Sequence, residues 1–447
     1  MGEGAVAAVD VGSTWTKLAV YGPGGETVHA VREPTPRAGR GLYDAGRLLE
    51  LLRKLIARAR SEGAESVGVS LFRASPVAFK PGGKPVSPIV SWLAFEERRL
   101  AQESMPLTAR ILARAPVVGK AFRPQSPLPL IAWLSKRHPG ARVWTLDALV
   151  ADALAGRYAS AASHAALTGA VSPWSLRPMR WALRAVGARG LEVPEIVHDT
   201  MIGGPLSAVV ADQQAAMLGS SCAEPGCVKL SLGTGCFADK PLPGKPPRLG
   251  GGIPLVVPLP GGGLRYGVEA SVPGLGVALE WAAAALGGFE RLGRLRPEHC
   301  GRWRGELVLR LGGWPGRTVF LLGPSRPEGW ESLACAAAVG AALQCAGAAA
   351  SLGDARRYVL DGGGMRIRMV SLLLSRLLPG EVERCTGSSL AGAAVLAGAR
   401  HARARCESVG RGVVAAGRLL ALTRALEEDP GWAVEEAGRL VRELLEG

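Results

Sequence analysis

The chain has 447 residues, of which 48% are hydrophobic and 20% are charged, and its formal net charge is +15. This length is too great for one compact core and predicts two or three domains, and the composition excludes an intrinsically disordered chain. The basic residues are spread along the chain, without a dense run among aromatic residues. The charge therefore favours an anionic ligand such as a polyphosphate over a nucleic acid.

The first half of the chain predicts strands, a helix and loops. Apolar alternation, turn residues and helical spacing set the boundaries of these elements. They are, in order, strands over 6–11, 17–21 and 27–31, a helix between Asp44 and Gly63, a strand over 66–72, a loop over 116–129, a strand over 143–146, a helix over 147–155 closed by Gly156, and a loop over 173–178.

A second unit of the same kind is predicted to begin near Leu206, and each unit opens with a strand that ends at an aspartate. The predicted elements are strands over 207–211, 228–232, 264–271, 318–322, 358–360 and 381–385, helices over 212–220, 275–286, 331–352 and 365–378, a further helix from Ser388, an irregular connection over 241–263, and two amphipathic helices over 410–447 broken by Pro430. The sequence thus predicts an α/β protein with two domains across a cleft.

The chain start, the longest apolar stretch and the cysteines bear on location. Residues 1–10 run into a strand without a basic start, so we expect no secretory leader and a cytoplasmic protein. Residues 335–353 are rich in alanine and glycine and include Gln344, which favours a buried helix over a membrane span. None of the eight cysteines forms a CxxC pair, so we expect buried thiols and no zinc site.

The sequence nevertheless does not decide between free thiols and disulfide bridges. The chain has no asparagine and five glutamines, and avoidance of thermolabile amides is a trait of thermophile proteins. Because thermophile cytosol can hold disulfides, a bridge between Cys222 and Cys227, or another one, is an alternative to free thiols.

Two short motifs suit a bound phosphate. In the segment 10–17, glycine and two hydroxyl residues follow a strand, Lys17 adds a positive charge, and Asp10 could hold hydrated Mg²⁺. In the segment 232–237, two glycines flank Thr234 between two strands. Ordinary β-hairpin turns are the structural alternative for both motifs.

Two further motifs suit catalysis and a nucleotide. Asp212 follows a strand and precedes Gln213, so its carboxylate could accept a proton from a substrate hydroxyl that the amide orients. The structural alternative is a helix N-cap, which aspartate often fills. The segment 361–364 places three glycines between a strand and a helix, where a flat group such as adenine could approach; a loop that needs positive φ is the alternative.

In order and spacing, these four motifs resemble those of the FGGY carbohydrate kinases. The segment from Ala211 to Phe237, with its DQQAA and GTGCF sequences, is most similar to glycerol kinases. The resemblance spans residues 6–399 and implies two actin-like (ribonuclease-H-like) ATPase domains flanking an interdomain cleft. We divide the chain into an N-terminal domain over 1–205, a C-terminal domain over 206–405 and a helical tail over 406–447. No Walker A or dinucleotide-binding glycine pattern points to another nucleotide fold.

The resemblance also implies roles for individual residues. Asp212 is the implied catalytic base, and Asp10 and Asp212 are the implied residues near Mg²⁺. The implied acceptor-binding residues are Arg73, Trp92, Asp212 and Gln213. The implied ATP-binding residues are Asp10, Gly12, Ser13, Thr14, Lys17, Gly233, Thr234, Gly235, Gly276, Glu280, Gly362, Gly363 and Gly364.

The sequence departs from the family pattern mainly on the acceptor side. Ala74 stands where glycerol kinases have an acidic residue, and Ala94 and Glu96 break the Trp-x-Asp-x-Arg pattern after Trp92. A Pro-rich segment near Gln125 replaces an aromatic contact. Such changes alter which hydroxyl compound is accepted more than whether one is phosphorylated.

Departures on the nucleotide side are fewer. Lys17 stands in place of arginine, Glu280 in place of glutamine and Ile367 in place of an asparagine near the adenine, and the loop from Gly323 to Glu331 is short.

Two functions follow from the resemblance. The first is a kinase that uses ATP and Mg²⁺ to phosphorylate glycerol or a related polyol or ketose. The second is a catalytically silent nucleotide-binding relative with a regulatory role. We expect a small-molecule substrate, no nucleic-acid or membrane partner and a thermophile source, and we leave a homodimer open.

Overall fold

The computed structural model describes residues 4–115, 118–246, 252–301, 307–312, 317–322 and 329–446. The strands up to residue 211 are β1 (Ala5–Val11), β2 (Trp15–Tyr21), β3 (Thr27–Pro34), β4 (Arg37–Gly39), β5 (Leu42–Tyr43), β6 (Ala64–Leu71), β7 (Pro76–Lys80), β8 (Lys84–Pro85), β9 (Ile89–Val90), β10 (Arg142–Thr145), β11 (Ala159–Ala161), β12 (Glu195–Val197) and β13 (Ala208–Ala211). The helices of this part are α1 (Ala45–Ser61), α2 (Phe95–Glu103), α3 (Leu107–Leu112), α4 (Pro127–Arg137), α5 (Leu146–Ala155), α6 (Ala162–Ala165) and α7 (Arg180–Ala185).

The remainder of the chain also alternates strands and helices. Its strands are β14 (Cys227–Leu232), β15 (Cys236–Pro241), β16 (Ile253–Pro258), β17 (Leu264–Val272), β18 (Leu307–Gly312), β19 (Arg317–Leu322), β20 (Arg357–Asp361), β21 (Glu381–Thr386) and β22 (Arg405–Arg411). Its helices are α8 (Asp212–Gly219), α9 (Leu275–Ala285), α10 (Phe289–Gly293), α11 (Pro297–Gly301), α12 (Gly329–Ala350), α13 (Arg368–Leu377), α14 (Ser388–Leu396), α15 (Ala416–Glu428) and α16 (Pro430–Glu446). Short 3₁₀ turns lie over Val118–Phe122 and Gly363–Arg366.

The two large sheets share one strand pattern. The first has the order β13-β6-β1-β2-β3, in which β13, β6 and β1 are parallel and β2 and β3 continue as an antiparallel meander. The second contains β21-β20-β14-β15-β17 with the same directions, and adds β22 and β16 at its two edges. This repetition is the two-domain actin-like arrangement that the sequence predicts.

The strand before Asp212 belongs to the first sheet. The sequence analysis assigns it to the start of the second unit, but β13 pairs in parallel with β6, with Ala208 opposite Gly68 and Ala211 opposite Leu71. The predicted division after residue 205 stays a proposal, and the strand pairing favours placing it after Ala211.

Three hydrophobic clusters position the two sheets. One core packs α1 on the first sheet and continues to α4 and α5, which contact β7 and β10, and a second packs α9, α12 and α13 on the second sheet. A third cluster joins the halves, because α14 packs on α8 and on the face of the first sheet. The close approach requires glycine, since a Cβ atom at Gly392 would overlap the backbone of Ala215. The crossing helices therefore hold the base of the cleft between the halves.

Helix α12 is the long apolar helix that the sequence indicates. By length and composition it could cross a membrane, but 94% of its most apolar stretch is buried within the protein. Alanines and glycines let neighbouring helices approach it closely, as Gly347 does beside Thr423. The predicted buried position of this segment is confirmed.

Several predicted loops contain regular structure. Within 116–129, α4 begins at Pro127 after the N-cap Ser126, because proline is compatible with the first helical turn. Within 241–263, β16 carries Pro254 and Pro258, which an edge strand tolerates. Residues 116–117, 247–251 and 323–328, including most of the loop predicted to be short, lie outside the described residues.

Two boundaries near the chain end also differ from expectation. The helix predicted from Met365 begins as a 3₁₀ turn, and α13 starts only at Arg368. The two predicted tail helices are present as α15 and α16, but the strand β22, which pairs with β21, precedes them. The tail therefore continues the second sheet before it becomes helical.

All eight cysteines lie in disulfide pairs. The bridges join Cys222 to Cys227, Cys236 to Cys345, Cys300 to Cys335, and Cys385 to Cys406. The expectation of free buried thiols is thus wrong, and the alternative bridge between Cys222 and Cys227 is present. The bridge from Cys236 to Cys345 closes 109 residues and ties the glycine turn before β15 to α12.

Loss of the bridge from Cys236 to Cys345 is expected to destabilise the protein. The Cys345→Ala variant should lose about 2–4 kcal/mol of unfolding free energy, because a long loop of the unfolded chain is no longer constrained. Denaturant unfolding with and without dithiothreitol measures this loss. The difference between variant and parent should shrink in reductant, where both lack the bridge. Equal stability of the parent with and without reductant would contradict the pairing.

Candidate active site

The predicted site residues gather at the carboxyl ends of the parallel strands. Asp10 lies near the end of β1, Arg73 follows β6, and Asp212 follows β13. From the second sheet, Thr234 follows β14 and Asp361 ends β20. In open α/β sheets, ligands bind outside this edge. The structure therefore brings together residues from all four sequence motifs.

The first glycine turn, over 12–14, joins β1 to β2. Hydrogen bonds from residues outside the turn hold it in place. The Gly12 N–H donates to the Trp15 carbonyl at 3.0 Å, and the Thr35 hydroxyl donates to the Gly12 carbonyl at 2.8 Å. The Tyr43 hydroxyl donates to the Ser13 carbonyl at 3.0 Å. These bonds occupy carbonyl oxygens, and the side chains of Ser13 and Thr14 stay at the surface of the turn.

Asp10 is buried beneath this turn. Its carboxylate accepts a hydrogen bond from the Ser70 hydroxyl at 3.0 Å and lies 3.5 Å from Lys17 Nζ. Burial raises the pKa of Asp10 above its usual value, Lys17 opposes the shift, and the negative charge of Asp361 adds to it. Lys17, expected at the phosphate groups, thus forms an ion pair with Asp10.

Arg73 links the two halves of the chain at the acceptor side. It forms a close ion pair with Glu269 on β17 and lies 3.8 Å from Asp212 Oδ1. Burial alone would lower the pKa of Arg73, but the surrounding carboxylates raise it above its usual value. Arg73 also lies over the Phe237 ring at 5.3 Å, and Trp92 meets that ring edge-on at 6.0 Å. Arg73 and Trp92 are therefore on one wall.

Asp212 stands at the start of α8, with its carboxylate turned toward this wall. Its Oδ1 accepts the Gln213 N–H at 2.9 Å, so the helix N-terminus favours its charged form. Burial nevertheless raises the pKa of Asp212, Arg73 opposes the shift, and the charge of Asp10 adds to it. The carboxylates of Asp10 and Asp212 are thus electrostatically coupled across the two strand ends.

Ser163 and Asp199 form a buried hydrogen-bonded pair that holds the end of β13, the strand that precedes Asp212. The Ala211 N–H donates to the Ser163 hydroxyl at 3.0 Å, and that hydroxyl donates to the carboxylate of Asp199. Burial raises the pKa of Asp199 to about 7, although the hydrogen bonds from Ser163 oppose the shift. These residues fix the backbone one position before the candidate base, and the sequence analysis misses both.

Gln213 is held by a buried lysine from the second sheet. Lys229 Nζ donates to Gln213 Oε1 at 2.5 Å and to the Ser231 hydroxyl at 2.6 Å, and lies 3.0 Å from Asp239 Oδ2. Lys229 and Asp239 are both fully buried. With its carbonyl oxygen occupied, Gln213 presents its amide N–H groups as donors.

The buried charges do not balance. Arg73 and Lys229 supply two positive charges, whereas Asp212, Asp239 and Glu269 carry three carboxylates. Burial raises the pKa of Glu269 to about 8, Arg73 opposes the shift, and the adjacent Asp239 adds to it. The cluster therefore retains one proton up to mildly alkaline pH, and this proton is shared by interacting groups.

This proton predicts a pH-dependent stability. An unfolded Glu269 ionises near pH 4.5, but the folded one keeps its proton to about pH 8. In this window the folded state binds more protons, so its stability falls as pH rises, by up to about 1.4 kcal/mol per pH unit. The Glu269→Gln variant lacks this fall and should be the more stable protein at pH 8.

The stability of both proteins is measured by denaturant unfolding between pH 5 and pH 9. Glu290→Gln, at an exposed glutamate, serves as the control and should parallel the parent at every pH. The difference in unfolding free energy between the parent and Glu269→Gln could instead be the same at every pH, or change with pH in the opposite direction. Either result would mean that Glu269 is ionised in the folded protein.

The glycine turn at 233–235 packs against Gly276 at the start of α9. The Gly233 N–H donates to the Gly235 carbonyl at 3.0 Å, and the Gly276 N–H donates to the Thr234 carbonyl at 3.1 Å. A Cβ atom at Gly276 would overlap the Gly233 carbonyl, so only glycine allows α9 to begin there. Gly362 has φ +97° and also lies against the end of β14, at Leu232.

The other residues predicted on the nucleotide side differ in where the structure places them. Gly363 and Gly364 lie in the 3₁₀ turn over Gly363–Arg366. Gly364 lies next to Leu232, at the end of β14. Glu280 is exposed on α9, four residues after Gly276. Ile367, where an asparagine is usual, is 5% exposed and packs in the core of the second half. The sequence change at that position therefore serves packing.

A nucleotide and Mg²⁺ fit the residues present. Asp10, Asp212 and Asp361 bring mutually repelling carboxylates together from both halves, which a divalent cation with a preference for oxygen ligands would relieve. The hydroxyl groups of Ser13, Thr14 and Thr234 at the glycine turns suit phosphate oxygens. Among the described residues, the cluster of ligand atoms close enough to share a metal ion is Glu383, Cys385 and Cys406, and its cysteines are bonded to each other.

Arg98 is a further residue that sequence reasoning misses. It is fully buried on α2 and donates to the carbonyls of Ala74, Ser91, Pro124 and Gln125 at 2.8–3.0 Å. Burial lowers the pKa of Arg98 to about 9. It thus connects the segments that carry Arg73, Trp92 and Gln125, and it holds Ala74 at φ +57°, a conformation that costs free energy in alanine.

Comparisons with known proteins agree with this geometry. No family model matches the chain. The chain is 26% identical over 321 residues to an uncharacterised sugar kinase of Archaeoglobus fulgidus, covering 62% of this chain and 64% of that one. It is 27% identical over 325 residues to a glycerol kinase of Trichlorobacter lovleyi, covering 63% and 64% of the two chains. The chain thus spans slightly under two thirds of the length of these relatives.

The fold comparison extends over nearly the whole chain. The glycerol kinase of Plasmodium falciparum, solved with ADP, superposes with a TM-score of 0.73 at 15% identity, covering 95% of this chain and 97% of that one. The actin-like two-domain fold is therefore confirmed. The predicted likeness to the FGGY carbohydrate kinases, and among them to glycerol kinases, is confirmed as well.

Proposed function

We propose that the protein transfers the terminal phosphate of ATP to a hydroxyl group of a small polyol or sugar. The observation that carries this proposal is that Asp212 follows the last strand of the first sheet, while glycine turns follow strands of both sheets at the same carboxyl ends. The similarity to sugar and glycerol kinases supports the same reaction.

In this proposal, Asp212 accepts the proton of the acceptor hydroxyl. Its raised pKa makes it a stronger base than an ordinary aspartate, while the N-terminus of α8 and Arg73 keep part of it ionised. The acceptor oxygen then attacks the terminal phosphorus of ATP in line with the departing ADP oxygen. Ser163 and Asp199 hold the strand end, so Asp212 is positioned before the acceptor arrives.

The glycine turns would bind the phosphates. Ser13 and Thr14 from one half, and Thr234 and Gly235 from the other, would donate to the phosphate oxygens. Gly12 and Gly233 would shape the two turns, since their N–H groups already donate within them, and Lys17 would exchange Asp10 for a phosphate. Asp10 and Asp212 would hold Mg²⁺, which neutralises phosphate charge when bound. Gly276, Glu280 and Gly362–Gly364 would lie beside the nucleoside, and Glu280 is exposed there on α9.

The acceptor would lie between Arg73, Gln213 and Trp92. Arg73 and the amide of Gln213 supply hydrogen-bond donors, and the Trp92 ring supplies an apolar wall. Glu269 occupies part of the role of the acidic residue that Ala74 replaces, since it approaches Arg73 from the opposite half. The proposed acceptor class is glycerol or a related polyol or ketose.

The alternative is a nucleotide-binding protein without turnover, which Ala74 and the missing Trp-x-Asp-x-Arg pattern favour. To decide, the protein is incubated with Mg-ATP and a panel of glycerol, erythritol, tetroses, pentuloses and heptuloses, and ADP is followed. Acceptor-dependent ADP formation is expected. ATP binding without turnover for any acceptor would establish the alternative, and absence of ATP binding would contradict both.

We also propose a cytoplasmic location, a thermophile source and the absence of nucleic-acid and membrane partners, and a homodimer stays open.

A further inference from the structure

A large cavity among the described residues lies on the acceptor side of the site. Its volume is about 1020 Å³, and Arg73, Asp212 and Gln213 form part of its wall. Within the described part of the chain, its wall contains no residue of the glycine turns at 12–14, 233–235 and 362–364. The volume is therefore available to the acceptor and is separate from the space for the triphosphate.

This volume far exceeds the need of a small polyol. One water molecule occupies about 30 Å³ of liquid, and a three-carbon polyol displaces only about four such volumes. Binding pockets for ligands of some twenty to thirty atoms have volumes of roughly 300–1,000 Å³. A site for a three-carbon acceptor alone would leave most of this cavity filled with water.

The wall beyond the charged residues is mainly apolar and aromatic. Val118 and Trp181 are each 44% exposed and Ile253 is 37% exposed, although all three line the cavity. Trp174 and Phe237 are further aromatic members of the wall. Large apolar side chains that remain in contact with water in a concave site mark a ligand-binding surface, because covering them is favourable.

The cavity does not arise from separated walls. The Trp174 indole N–H donates to the Pro246 carbonyl at 2.8 Å, and Lys245 Nζ donates to the Trp174 carbonyl at 2.9 Å. Lys120 Nζ donates to the Gly252 carbonyl at 3.0 Å. These bonds join Lys120 and Trp174 to Lys245, Pro246 and Gly252, so the two sides of the cavity are in contact.

We infer that the acceptor is a hydroxyl compound that carries an apolar alkyl or aryl group. The hydroxyl lies at Asp212, and the apolar group packs against Trp174, Trp181 and Ile253. This inference rests on the proposed phosphoryl transfer and specifies its acceptor class. It also accounts for the changed acceptor-side residues, because Ala74 and the Pro-rich segment near Gln125 replace polar and ring contacts that suit a small sugar or polyol.

The test compares glycerol with 1-O-butylglycerol and 1-O-hexylglycerol, below the concentrations at which they form micelles. Each keeps a free primary hydroxyl and differs in apolar length. KM for turnover and Kd from calorimetry are measured in parallel, so that binding is known even without catalysis. Both constants should fall about threefold to fourfold per added methylene, the gain expected for burying that group.

Variants of the wall locate the effect. In Trp181→Ser and, independently, Ile253→Ser, the ratio of glycerol KM to hexylglycerol KM should shrink several-fold. Two variants are used because either one alone could perturb folding. Trp432→Ser is the matched control, since Trp432 is also 44% exposed but lies on α16, and it should leave the ratio unchanged.

The outcomes separate this inference from the proposed function. Turnover of glycerol or sugars without any gain from the alkyl chain overturns the inference and leaves the kinase intact. Chain-length-dependent binding that the Trp181→Ser change weakens, without turnover, supports the apolar site and overturns the kinase. Neither binding nor turnover overturns both.

Discussion

Replacing Asp212 by asparagine is expected to lower kcat by about 10²- to 10⁴-fold, the usual contribution of a general base. Asparagine keeps the shape of the side chain and its place at the start of α8, but it cannot accept the proton of the acceptor hydroxyl. ATP binding should persist, because the glycine turns are unchanged and one repelling charge beside Asp10 is removed. Acceptor-dependent ADP formation and calorimetric ATP titration measure the two properties.

Asp354→Asn is the control for this change. Asp354 is exposed before β20, so the same chemical substitution there should leave kcat unchanged. A Asp212→Asn protein with near-parental kcat would remove Asp212 from its proposed role. Loss of ATP binding together with kcat would instead indicate that Asp212 serves the nucleotide site.

Replacing Lys229 by methionine is expected to cost about 3–5 kcal/mol of unfolding free energy. Lys229 is fully buried, neutralises Asp239 and holds Gln213 and Ser231. Without it, Asp239 and Glu269 face each other with one cation fewer, and an unpaired buried charge is strongly destabilising. Denaturant unfolding of variant and parent at one pH measures the loss.

The double variant Lys229→Met with Asp239→Leu separates charge from packing. It removes both members of the buried pair and should recover much of the lost stability, since neither charge is left uncompensated. Lys84→Met, at an exposed lysine of β8, should change stability by less than about 0.5 kcal/mol. A double variant no more stable than Lys229→Met would show that the buried pair does not govern stability here.

The strand ends that carry the motifs could be predicted because their signals are local. Asp10 and Asp212 each follow an apolar run of strand length, and the glycines at 12, 233 and 362 mark the turns that follow strands. The leucine spacing in 48–56 likewise predicts α1, whose buried residues include Leu48, Leu49, Leu52 and Leu55. Burial of one face and a tight turn are properties that neighbouring residues alone specify.

The charge cluster could not be predicted because its partners are distant in sequence. Arg73 and Glu269 are 196 residues apart, and Lys229, Asp239 and Glu269 stand at interior positions of strands, where a charged residue gives no local signal of its partner. The same limit explains β13, since its four residues specify a strand but not the sheet it joins. The pairing of Cys236 with Cys345 is likewise a property of the folded chain.

In the proposed reaction, Asp212 faces the terminal phosphate of a nucleotide held by glycine turns of both halves. A crystal structure of the protein with Mg²⁺ and a non-hydrolysable ATP analogue would show this arrangement. We expect the phosphates between Gly12–Thr14 and Gly233–Gly235, with the Asp212 carboxylate turned toward the terminal one. A nucleotide bound elsewhere, or Asp212 turned away from its phosphates, would rule out the proposed role of Asp212.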